Sequence, residues 1–490
     1  MHISPDRIPS VVAEVANTLE NKGFEAYLVG GCTRDLLLGK TPKDWDITTN
    51  ATPEEIQGLF PDHYANNDYG TIGVKTESED PALHVVEVTP YRAEGTYSDA
   101  RRPDEVRFGV SLSEDLKRRD FTVNALAYRL SNNTLVDEWG GADDLTAKRL
   151  KTVGDPHERF KEDALRMLRA VRLAAELDFV IDPDTMTAIS QHSQQLQRIS
   201  IERIASEFIR TIESPRPMQG LVFMEKLGLL EQFLPELTAA IGCEQGGIHA
   251  YDVYEHLLRT TQAAADKEYS LSMRLAALFH DIGKPATRRT GGKHKHYTFF
   301  GHEVVGARMT KEILERLHLP RELVDEVVLL VRWHMFFADP DEITLTAVRR
   351  TISRVGEENI EKLLNLRVCD RIGTGRPKEQ PFRFRKYKAM VDQARRDPVS
   401  VKMLTINGDR IMEISGEKPG KTLGYVLHAL LEEVLADPGK NTAEYLEKRA
   451  LELLALPEAE LIALAEAGKA RQAKAEEAAL KDIARKHRVF

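Results

Sequence analysis

Two aspartates stand one residue apart in the stretch GKTPKDWDITTN, residues 39–50. In an extended strand, the side chains of Asp44 and Asp46 point to the same face, where two like charges are unfavourable unless a cation lies between them. Glu87, in the stretch HVVEVTP, adds a third carboxylate. Three carboxylates on neighbouring strands can hold two Mg²⁺ ions, which activate an attacking hydroxyl and neutralise a leaving pyrophosphate. The plainer interpretation is a solvated strand edge.

Glycines and arginines near these carboxylates are suited to binding phosphate. Gly30 and Gly31, in LVGGCTRDLL, stand where a predicted strand ends and a helix begins, so backbone N–H groups can approach an anion there. Arg118 and Arg119 precede Asp120 in EDLKRRDFTVNALAY, and guanidinium groups suit triphosphate oxygens. The structural alternatives are a tight turn and a buried cluster of ion pairs at a domain joint.

A second set of side chains is suited to binding a divalent metal. The stretch HDIGK places His280 beside Asp281 at the end of the apolar segment LSMRLAALF. Further residues of ligand type stand in helix-like segments with apolar companions at spacings of three and four: His256, His302, His334 and Asp370. We expect them to face a common interior, where such ligands suit Mn²⁺, Fe²⁺, Ni²⁺ or Co²⁺ as well as Mg²⁺. A single such histidine is more often an ordinary core residue.

The pattern of apolar residues predicts an α+β fold, with a mixed first part followed by a helical body. Residues 5–23 are typical of an amphipathic helix, and strands are predicted at 25–31, 44–48 and 83–92. Beyond these the spacing becomes helical. We expect a head domain at 1–150 with a small mixed sheet, a helical neck at 151–240, a metal-binding domain at 246–375, a C-terminal module at 376–455 and a charged helical tail at 456–490.

The composition is that of a soluble protein with several domains. The 490 residues are 42% hydrophobic and 30% charged, enough for three or four separate cores. We find no run of about 18 apolar residues and no basic segment leading into an apolar one at the start, which predicts neither a membrane span nor a secretory signal. The three cysteines lie far apart, which favours the reducing cytoplasm. A net charge of −9 confines contacts with nucleic acid to local basic patches.

Together, the blocks of the first half resemble the bacterial class II tRNA nucleotidyltransferases, the family of CCA-adding enzymes and poly(A) polymerases. They run in order through residues 10–235: LVGGCTRDLLLG, DWDIT, YGTIGV, EVTPYR, DLKRRDFTVNALAY, VGDPHERFKEDALRMLRAVRLAAEL and ISIERIASEF. The resemblance implies a polymerase-β-like nucleotidyltransferase head followed by a largely helical neck and body. It also implies template-independent addition of CCA to the 3′ end of tRNA from CTP and ATP, with Mg²⁺ in the head.

The resemblance assigns roles to individual residues. Asp44, Asp46 and Glu87 match the catalytic acids, with the two aspartates as ligands of Mg²⁺. The other matches bind the nucleotide: Gly30, Gly31, Arg34 and Asp35 at the phosphates, Asp115, Arg118, Arg119 and Asp120 at the triphosphate and the ribose 2′-OH, and Glu162, Asp163 and Arg166 in the E-D-x-x-R block that reads the base.

The base-reading role has a physical basis of its own. On a continuous helix, Asp163 and Arg166 would share one face, because residues three apart are neighbours there. Together they offer an acceptor and a two-donor fork that can pair with the edge of cytosine or adenine, whereas guanine and uracil present the wrong pattern. Protein side chains would then replace a nucleic-acid template. The plainer interpretation is a surface ion pair.

The pattern H…HD…H…H…D resembles the HD phosphohydrolase superfamily. It implies a divalent transition metal or Mg²⁺ bound by His256, His280, Asp281, His302, His334 and Asp370. Lys284 is placed to meet a phosphate oxygen. Some bacterial tRNA nucleotidyltransferases carry such a domain with phosphatase or 2′,3′-cyclic phosphodiesterase activity, which would clear damaged 3′ ends. The domain could instead be a scaffold with weak activity.

Several alternatives remain open at the level of the sequence. The polar loop EGTYSDARRPDEVRF, residues 94–108, favours full CCA addition, because CC-adding members of the family have it shortened or absent. The stretch YGTIGV stands where poly(A) polymerases of this group usually carry arginines. The first alternative is a CC-only or A-only enzyme or a poly(A) polymerase. The second is a metal-dependent nucleotide phosphohydrolase whose head does not transfer nucleotides, and the third is a non-catalytic RNA-binding protein.

The predicted partner is the acceptor arm of tRNA, a duplex recognised by its shape and backbone. In GEKPGKTLG, residues 416–424, Lys418 and Lys421 stand with backbone N–H groups before a helix, as a phosphate site requires. In RFRKYK, Phe384 and Tyr387 alternate with basic residues, which predicts either contact with RNA or a solvated helix face. The segment 377–398 around it is typical of a linker or lid. The sequence does not set the oligomeric state.

Overall fold

The structure, a computed structural model, describes residues 2–65, 70–94, 106–246, 250–290, 297–336, 343–375 and 378–465. The chain forms two units, Met1–Pro235 and Glu236–Phe490. Most of the predicted 94–108 loop and residues 466–490 of the predicted tail lie outside the described residues. In the part of the chain that the structure describes, no helix is both long enough and apolar enough to cross a membrane.

A seven-stranded mixed sheet forms the centre of the first unit, in the order β3-β4-β5-β2-β1-β8-β9. Strands β2 and β5 are parallel, and the other neighbours are antiparallel. Two further pairs, β6–β7 and β10–β11, lie outside this sheet. The strands are β1 (Ala26–Val29), β2 (Asp46–Thr49), β3 (His63–Ala65), β4 (Ile72–Lys75), β5 (Val85–Pro90), β6 (Arg92–Glu94), β7 (Val106–Phe108), β8 (Ala127–Arg129), β9 (Thr134–Val136), β10 (Arg149–Leu150) and β11 (Val180–Ile181).

The helices of this unit are short around the sheet and longer after it. Those near the sheet are α1 (Ser10–Asn21), α2 (Gly31–Leu37), α3 (Pro53–Leu59), α4 (Leu112–Lys117) and α5 (Gly141–Thr146). Those that follow are α6 (Pro156–Glu162), α7 (Leu165–Leu177), α8 (Pro183–His192), α9 (Ile201–Glu213), α10 (Pro217–Lys226) and α11 (Leu230–Phe233). The mixed head and helical continuation confirm the predicted α+β class.

The strands place their polar residues as the alternation of the sequence requires. Along β5, Val86 and Val88 are buried, while Glu87 between them is only partly buried, because successive side chains point to opposite faces. Strand β2 begins at Asp46, so the predicted strand at 44–48 was wrong at its start: Asp44 precedes the strand. The argument that a shared strand face brings the two aspartates together therefore does not hold.

The helix predicted through the E-D-x-x-R block is broken. Asp163 follows α6 with extended backbone angles, φ −144° and ψ 106°. Its Oδ1 accepts a hydrogen bond from the N–H of Leu165 at 3.0 Å, so the side chain caps the start of α7 instead of continuing α6. The prediction that Asp163 and Arg166 share one helix face was therefore wrong, because only Arg166 is helical.

The second unit is helical. The chain continues through α12 (Pro235–Thr238), α13 (Val253–Asp266), α14 (Leu271–Phe279), α15 (Lys284–Thr287), α16 (His302–Arg316), α17 (Arg321–Trp333), α18 (Leu345–Val355), α19 (Glu357–Gly373), α20 (Phe382–Ala394), α21 (Gly408–Ser415), α22 (Lys421–Ala436), α23 (Ala443–Leu454) and α24 (Glu458–Ala465). A two-stranded pair, β12 (Arg289–Thr290) and β13 (Tyr297–Thr298), precedes α16. Helices α13, α14, α16, α17 and α19 pack against one another and form the core that carries the predicted metal ligands.

Helix α20 lies where a linker or lid was predicted, so that prediction was wrong for residues 382–394. Its buried side chains are Phe384, Tyr387, Val391 and Ala394, which form one stripe at helical spacing. Because Phe384 and Tyr387 are buried, they cannot stack on RNA bases, and the predicted aromatic contact at RFRKYK was also wrong.

Candidate functional site

The turn between β1 and α2 brings the backbone close to the carboxylates of Asp44 and Asp46. Gly30 adopts φ 72° and ψ −135°, a conformation that favours glycine. A Cβ at this position would lie 3.5 Å from Oδ2 of Asp46 and 3.4 Å from Nη1 of Arg119. A Cβ on Gly31 would lie 3.8 Å from Oδ1 of Asp44. The glycine turn therefore borders both aspartates and an arginine.

Asp46 and Glu87 are neighbours across the parallel strands β2 and β5, whose register pairs them directly. Burial, together with the negative charges of Asp44 and Glu87, raises the pKa of Asp46 to about 7, although Arg119 opposes this shift. Such a cluster stores unfavourable repulsion that a divalent cation relieves. Carboxylate oxygens are the ligands that Mg²⁺ takes in proteins, so these three residues fit the predicted ion.

The two adjacent arginines are oriented by one buried carboxylate. Asp115, on α4, is fully buried, and its Oδ1 lies 2.7 Å from Nη2 of Arg118 while its Oδ2 lies 3.0 Å from Nη2 of Arg119. Burial raises the pKa of Asp115, but the positive charges of Arg119 and Arg118 outweigh burial and hold it below its usual range. The structure thus brings Asp115 and both arginines together, with the carboxylate behind them.

Asp120 is held in a network of hydrogen bonds that joins the head to α7. Its Oδ2 accepts two hydrogen bonds from Arg169, at 3.0 Å and 2.7 Å. Its Oδ1 accepts a hydrogen bond from Asn124, whose own Oδ1 accepts one from Arg34 at 2.8 Å. Arg34 also pairs with Asp35 at 2.8 Å. The predicted phosphate residues of the turn and the arginine block are therefore linked through Asn124, which sequence reasoning missed.

The base-reading block is tied to the arginine block. Glu162 pairs with Arg159 and with Arg166. Nη2 of Arg166 also donates a hydrogen bond to the backbone carbonyl of Arg118 at 3.3 Å. Residues predicted to contact the base and the triphosphate of one nucleotide are thus joined by a hydrogen bond.

Asp163 has a partner that sequence reasoning also missed. Nη2 of Arg203, on α9, donates to Oδ2 of Asp163 at 2.7 Å. Arg203 belongs to the block ISIERIASEF, so the block was noticed, but no charge pattern within it points to Asp163, which stands 40 positions away. Arg169 was missed as well, although its position three residues after Arg166 marks the same side of α7.

A cleft of about 520 Å³ runs beside these residues. Its lining includes Gly31, Arg34, Asp35, Asp44, Asp46, Asn124, Arg169, Arg172 and Arg210. Arg172 is 3% exposed and pairs with Glu207 at 2.5 Å and with Glu176 at 2.7 Å. Carboxylates and guanidinium groups both line this cleft, which suits a ligand that carries both a metal and phosphate groups.

In the second unit, the six predicted metal ligands converge. His256, His280 and Asp370 offer ligand atoms within 4.8 Å of one another, and so do Asp281, His302 and His334. Asp281 joins the two groups, since its Oδ2 lies 3.3 Å from Nε2 of His280 and its Oδ1 lies 3.1 Å from Nε2 of His302. The structure therefore brings all six residues into one cluster.

The distances within each group suit a common metal ion. Nε2 of His256 lies 3.1 Å from Nε2 of His280, and Nε2 of His302 lies 3.1 Å from Nε2 of His334. Two nitrogens bound at about 2.1 Å and about 90° apart would be separated by about 3.0 Å. Backbone carbonyls fix three of the rings through Nδ1, at 2.9 Å for His280, 2.8 Å for His302 and 2.7 Å for His334. This contact leaves Nε2 for a metal.

Close packing of glycines brings these ligands together. A Cβ on Gly283 would lie 2.3 Å from the carbonyl oxygen of His302 and 2.6 Å from the nitrogen of Gly306. A Cβ on Gly373 would lie 2.1 Å from Oγ1 of Thr260. The turn after His280 can therefore approach α16, and α19 can approach α13, only because these positions lack a side chain.

Positively charged groups lie beside the carboxylates of this cluster. Burial lowers the pKa of His256, but its hydrogen bonds to Asp281 and Asp370 outweigh burial and raise the pKa to about 9. Burial raises the pKa of Asp281, yet Lys284 and the histidines hold it well below its usual range. Nζ of Lys284 lies 2.6 Å from Oδ2 of Asp281 and donates to Oε1 of Gln245 at 2.6 Å. Gln245 is a further residue that the sequence did not reveal.

This cluster opens into a cavity of about 590 Å³. Its lining includes five of the predicted ligands, namely His280, Asp281, His302, His334 and Asp370, together with Lys284, Arg367 and Arg371. Cations beside an anionic metal cluster suit a phosphate group that bridges the two. The predicted RNA contacts Lys418 and Lys421 lie elsewhere in this unit, exposed at the start of α22.

Three family profiles match successive parts of the chain. The family profile "Poly A polymerase head domain" matches residues 26–151. The profile "Probable RNA and SrmB-binding site of polymerase A" matches residues 178–241. The profile "HD domain" matches residues 253–373. Nucleotidyltransferase and HD domains generally depend on metals, and the structure has candidate groups to bind them.

Curated relatives of the chain are named CCA-adding enzymes. A CCA-adding enzyme of Levilactobacillus brevis is 44% identical over 225 residues, which are 46% of this chain and 55% of the relative. One of Enterococcus faecalis is 47% identical over 210 residues, 43% of this chain and 50% of the relative. The profiles and these relatives show that the chain carries a head domain and an RNA-binding domain of the family of CCA-adding enzymes and poly(A) polymerases. The chain spans about half the length of the curated family members it matches.

A solved structure of this family resembles the chain over a longer range. The Bacillus stearothermophilus CCA-adding enzyme in complex with CTP aligns with a TM-score of 0.67 and 27% identity, covering 90% of this chain and 96% of that one. A CCA-adding enzyme in complex with ATP aligns with a TM-score of 0.59 at 18% identity, which shows the fold alone. The predicted family and fold are therefore confirmed, and the roles of individual residues in this family member stay predictions.

Proposed function

We propose that the first unit adds CCA to the 3′ end of tRNA without a template, using CTP and ATP. The observation that carries this proposal is the hydrogen bond from Arg166 to the carbonyl of Arg118, which joins the base-reading block to the triphosphate block. One bound nucleotide can then meet both blocks and have its base identified by protein side chains. The family relatives named CCA-adding enzymes support the same activity.

The transfer forms a bond between the 3′ oxygen of the RNA and the α-phosphorus of the nucleotide, and it breaks the bond from that phosphorus to pyrophosphate. Mg²⁺ bound at Asp44, Asp46 and Glu87 would lower the barrier by activating the 3′-hydroxyl, whose proton passes to solvent water, and by neutralising the leaving group. Arg118 and Arg119, oriented by Asp115, hold the triphosphate. Gly30 and Gly31 leave room for the phosphates to approach.

Base selection falls to Asp163 and Arg166. Asp163 is an acceptor whose oxygens keep lone pairs free beyond those used by Leu165 and Arg203, and Arg166 supplies N–H donors. An acceptor and a two-donor fork match the edges of cytosine and adenine and do not match those of guanine and uracil. Lys418 and Lys421 are proposed to contact the backbone of the acceptor arm.

The three cysteines of the chain are free and buried, which supports a reducing, cytoplasmic location.

The test uses tRNA that lacks its CCA end, with Mg²⁺ and each nucleoside triphosphate alone or in combination. Products are resolved at single-nucleotide length. Addition of C, C and one A, abolished in Asp44→Ala/Asp46→Ala, is the expected result. A stop at CC, or A added only to tRNA ending in CC, would indicate a partial enzyme, and long A tracts a poly(A) polymerase. If the tRNA is not extended at all, the proposed nucleotide transfer is wrong.

We propose that the second unit hydrolyses phosphate esters at the HD cluster. The convergence of six ligands in two groups, with Lys284 beside Asp281, supports this second activity. A phosphate ester cut from a damaged 3′ end would leave the hydroxyl that the head extends. The ion is proposed to be a divalent transition metal or Mg²⁺.

The second activity is separable from the first. Phosphate release should depend on added Mn²⁺, Co²⁺, Ni²⁺ or Mg²⁺ and disappear in His280→Ala, while that variant still extends tRNA. The Asp44→Ala/Asp46→Ala variant should show the opposite pattern. Phosphate release that survives His280→Ala would place the activity outside this cluster.

A further inference from the structure

The cavity at the HD cluster exposes two large apolar side chains. Phe300 is 78% exposed and Met335 is 56% exposed, and both line the cavity. Each is placed by a neighbouring metal ligand, since Phe300 stands two residues before His302 and Met335 directly follows His334. Two residues of chain span at most about 7 Å, so Phe300 is held near the ligands.

The other aromatic side chains of this lining are already engaged. The guanidinium of Arg288 lies 3.7 Å from the ring centre of Tyr297. The ammonium of Lys284 lies 5.5 Å from the ring centre of Phe299. Both rings are partly buried, whereas Phe300 presents most of its surface to solvent. Among the described residues, Phe300 and Met335 are the large apolar side chains of this lining that are exposed, so a ligand in the cavity can cover them.

The same cavity also carries positive charge beside the metal ligands. Lys284 contacts Asp281, and Nη1 of Arg367 donates to Oδ2 of Asp370 at 2.5 Å, so two cations stand directly beside the ligand carboxylates. A phosphate group fits at the ligands and cations. A flat, polarisable group fits against the exposed phenyl ring and the thioether. A nucleotide carries both groups in one molecule.

We propose that Phe300 and Met335 form a base-stacking subsite, by which the HD cavity selects nucleotides over phosphate esters that lack a base. This inference rests on the proposed phosphohydrolase activity of the same cavity. Water would supply the oxygen of the new P–O bond, the ester P–O bond would break, and the leaving alcohol would take a proton. Stacking tolerates every base, because each has a π-face, so the subsite selects for a nucleotide without selecting its sequence.

The test compares two substrates in the full-length chain carrying Asp44→Ala/Asp46→Ala, so that the head transfers nothing. Adenosine 3′-monophosphate carries a base and glycerol 2-phosphate does not. Phe300→Ala is expected to raise KM for the nucleotide by about fivefold to 150-fold, with kcat nearly unchanged, and to leave both constants for glycerol 2-phosphate unchanged. Phe300→Trp is expected to restore the nucleotide KM.

Phe382→Ala serves as the matched control, because Phe382 is 71% exposed in the same unit and lies outside the lining of this cavity. Equal changes for both substrates in Phe300→Ala, or an unchanged nucleotide KM, would overturn the subsite while leaving the hydrolase proposal intact. If the unmutated HD cluster releases phosphate from neither substrate with any of the four metals, the hydrolase proposal fails and the subsite fails with it.

Discussion

Asp163 accepts a hydrogen bond from Arg203 at 2.7 Å through Oδ2 and one from the backbone of Leu165 at 3.0 Å through Oδ1. Both carboxylate oxygens are therefore fixed before any nucleotide arrives. The break between α6 and α7 makes this possible, because Asp163 leaves the helix and turns toward α9. Arg203 is a positioning residue for the proposed base-reading pair.

Replacing Arg203 should impair the choice of nucleotide. Arg203→Met is expected to lower kcat/KM for CTP about 10-fold to 100-fold, the range that corresponds to losing a charge-assisted hydrogen bond, and to raise the relative incorporation of UTP and GTP. Arg203→Lys should restore part of the loss. Single-nucleotide extension assays with each triphosphate measure both effects.

Arg216→Met is the control for that experiment, because Arg216 pairs with Asp178 at 2.9 Å and does not line the cleft. It should leave nucleotide choice unchanged. A normal preference for CTP over UTP in Arg203→Met would show that Arg203 does not orient Asp163.

Asp120 should contribute to stability in a pH-dependent way. Burial raises its pKa, but Arg169 and Asn124 outweigh burial and hold the pKa below its usual range. A carboxylate with a depressed folded pKa stabilises the fold above its unfolded pKa, about 3.9, and this contribution is lost as the pH falls through the folded pKa. Asp120→Asn should lower the free energy of unfolding by about 1.5–3 kcal/mol at pH 7.

Urea unfolding of the parent protein and Asp120→Asn at pH 7 and pH 3 measures that contribution. The difference between the two proteins should be smaller at pH 3. An equal difference at both values would mean that the carboxylate charge is not what stabilises the fold.

Extension of tRNA should need more Mg²⁺ as the pH falls below 7. Burial and the charges of Asp44 and Glu87 raise the pKa of Asp46 to about 7, so a proton competes with the cation at this carboxylate. For one competing proton, the half-saturating Mg²⁺ concentration rises by up to about tenfold per pH unit. Mg²⁺ titrations at pH 6, 7 and 8 test this expectation, and a constant midpoint would contradict it.

Gly283→Ala should weaken metal binding at the HD cluster. The added methyl group would meet the backbone of His302 at 2.3 Å and push α16 away from the turn that carries His280 and Asp281. We expect an affinity for Mn²⁺ lower by about tenfold or more, measured by calorimetry, because displaced ligands lose their geometry. Extension of tRNA should persist.

Gly424→Ala is the matched change on α22, where an added Cβ meets no atom within 4 Å. It should bind metal like the parent protein. Unchanged Mn²⁺ binding by Gly283→Ala would show that the close approach of the turn to α16 does not position the ligands.

Residue type and local spacing predicted much of both sites. The glycine turn before α2 and the partnership of Asp46 with Glu87 follow from strands whose apolar residues alternate with polar ones. The HD ligands could be chosen because each stands among apolar residues at helical spacing, which places them in the core shared by α13, α14, α16, α17 and α19.

What the sequence did not reveal depends on contacts between distant segments. The break at Asp163 is stabilised by Arg203, and nothing in the local periodicity of the block indicates it. Helix α20 was taken for a linker because its buried stripe is narrow and charges cover the remaining faces. The ion pairs of Asp115 with Arg118 and of Asp120 with Arg169 were not predicted, because tertiary packing sets them.

The order of the central sheet has a consequence for how this head can vary. Strands β3 and β4 lie beyond β5 at one edge, although in sequence they stand between the two strands that carry Asp46 and Glu87. After β2 the chain therefore forms β3 and β4 at the edge of the sheet and then returns to form β5 beside β2, so that no strand lies between β2 and β5. A peptide inserted between β3 and β4 should leave Asp46 and Glu87 in register, so this edge is a suitable place to introduce a tag.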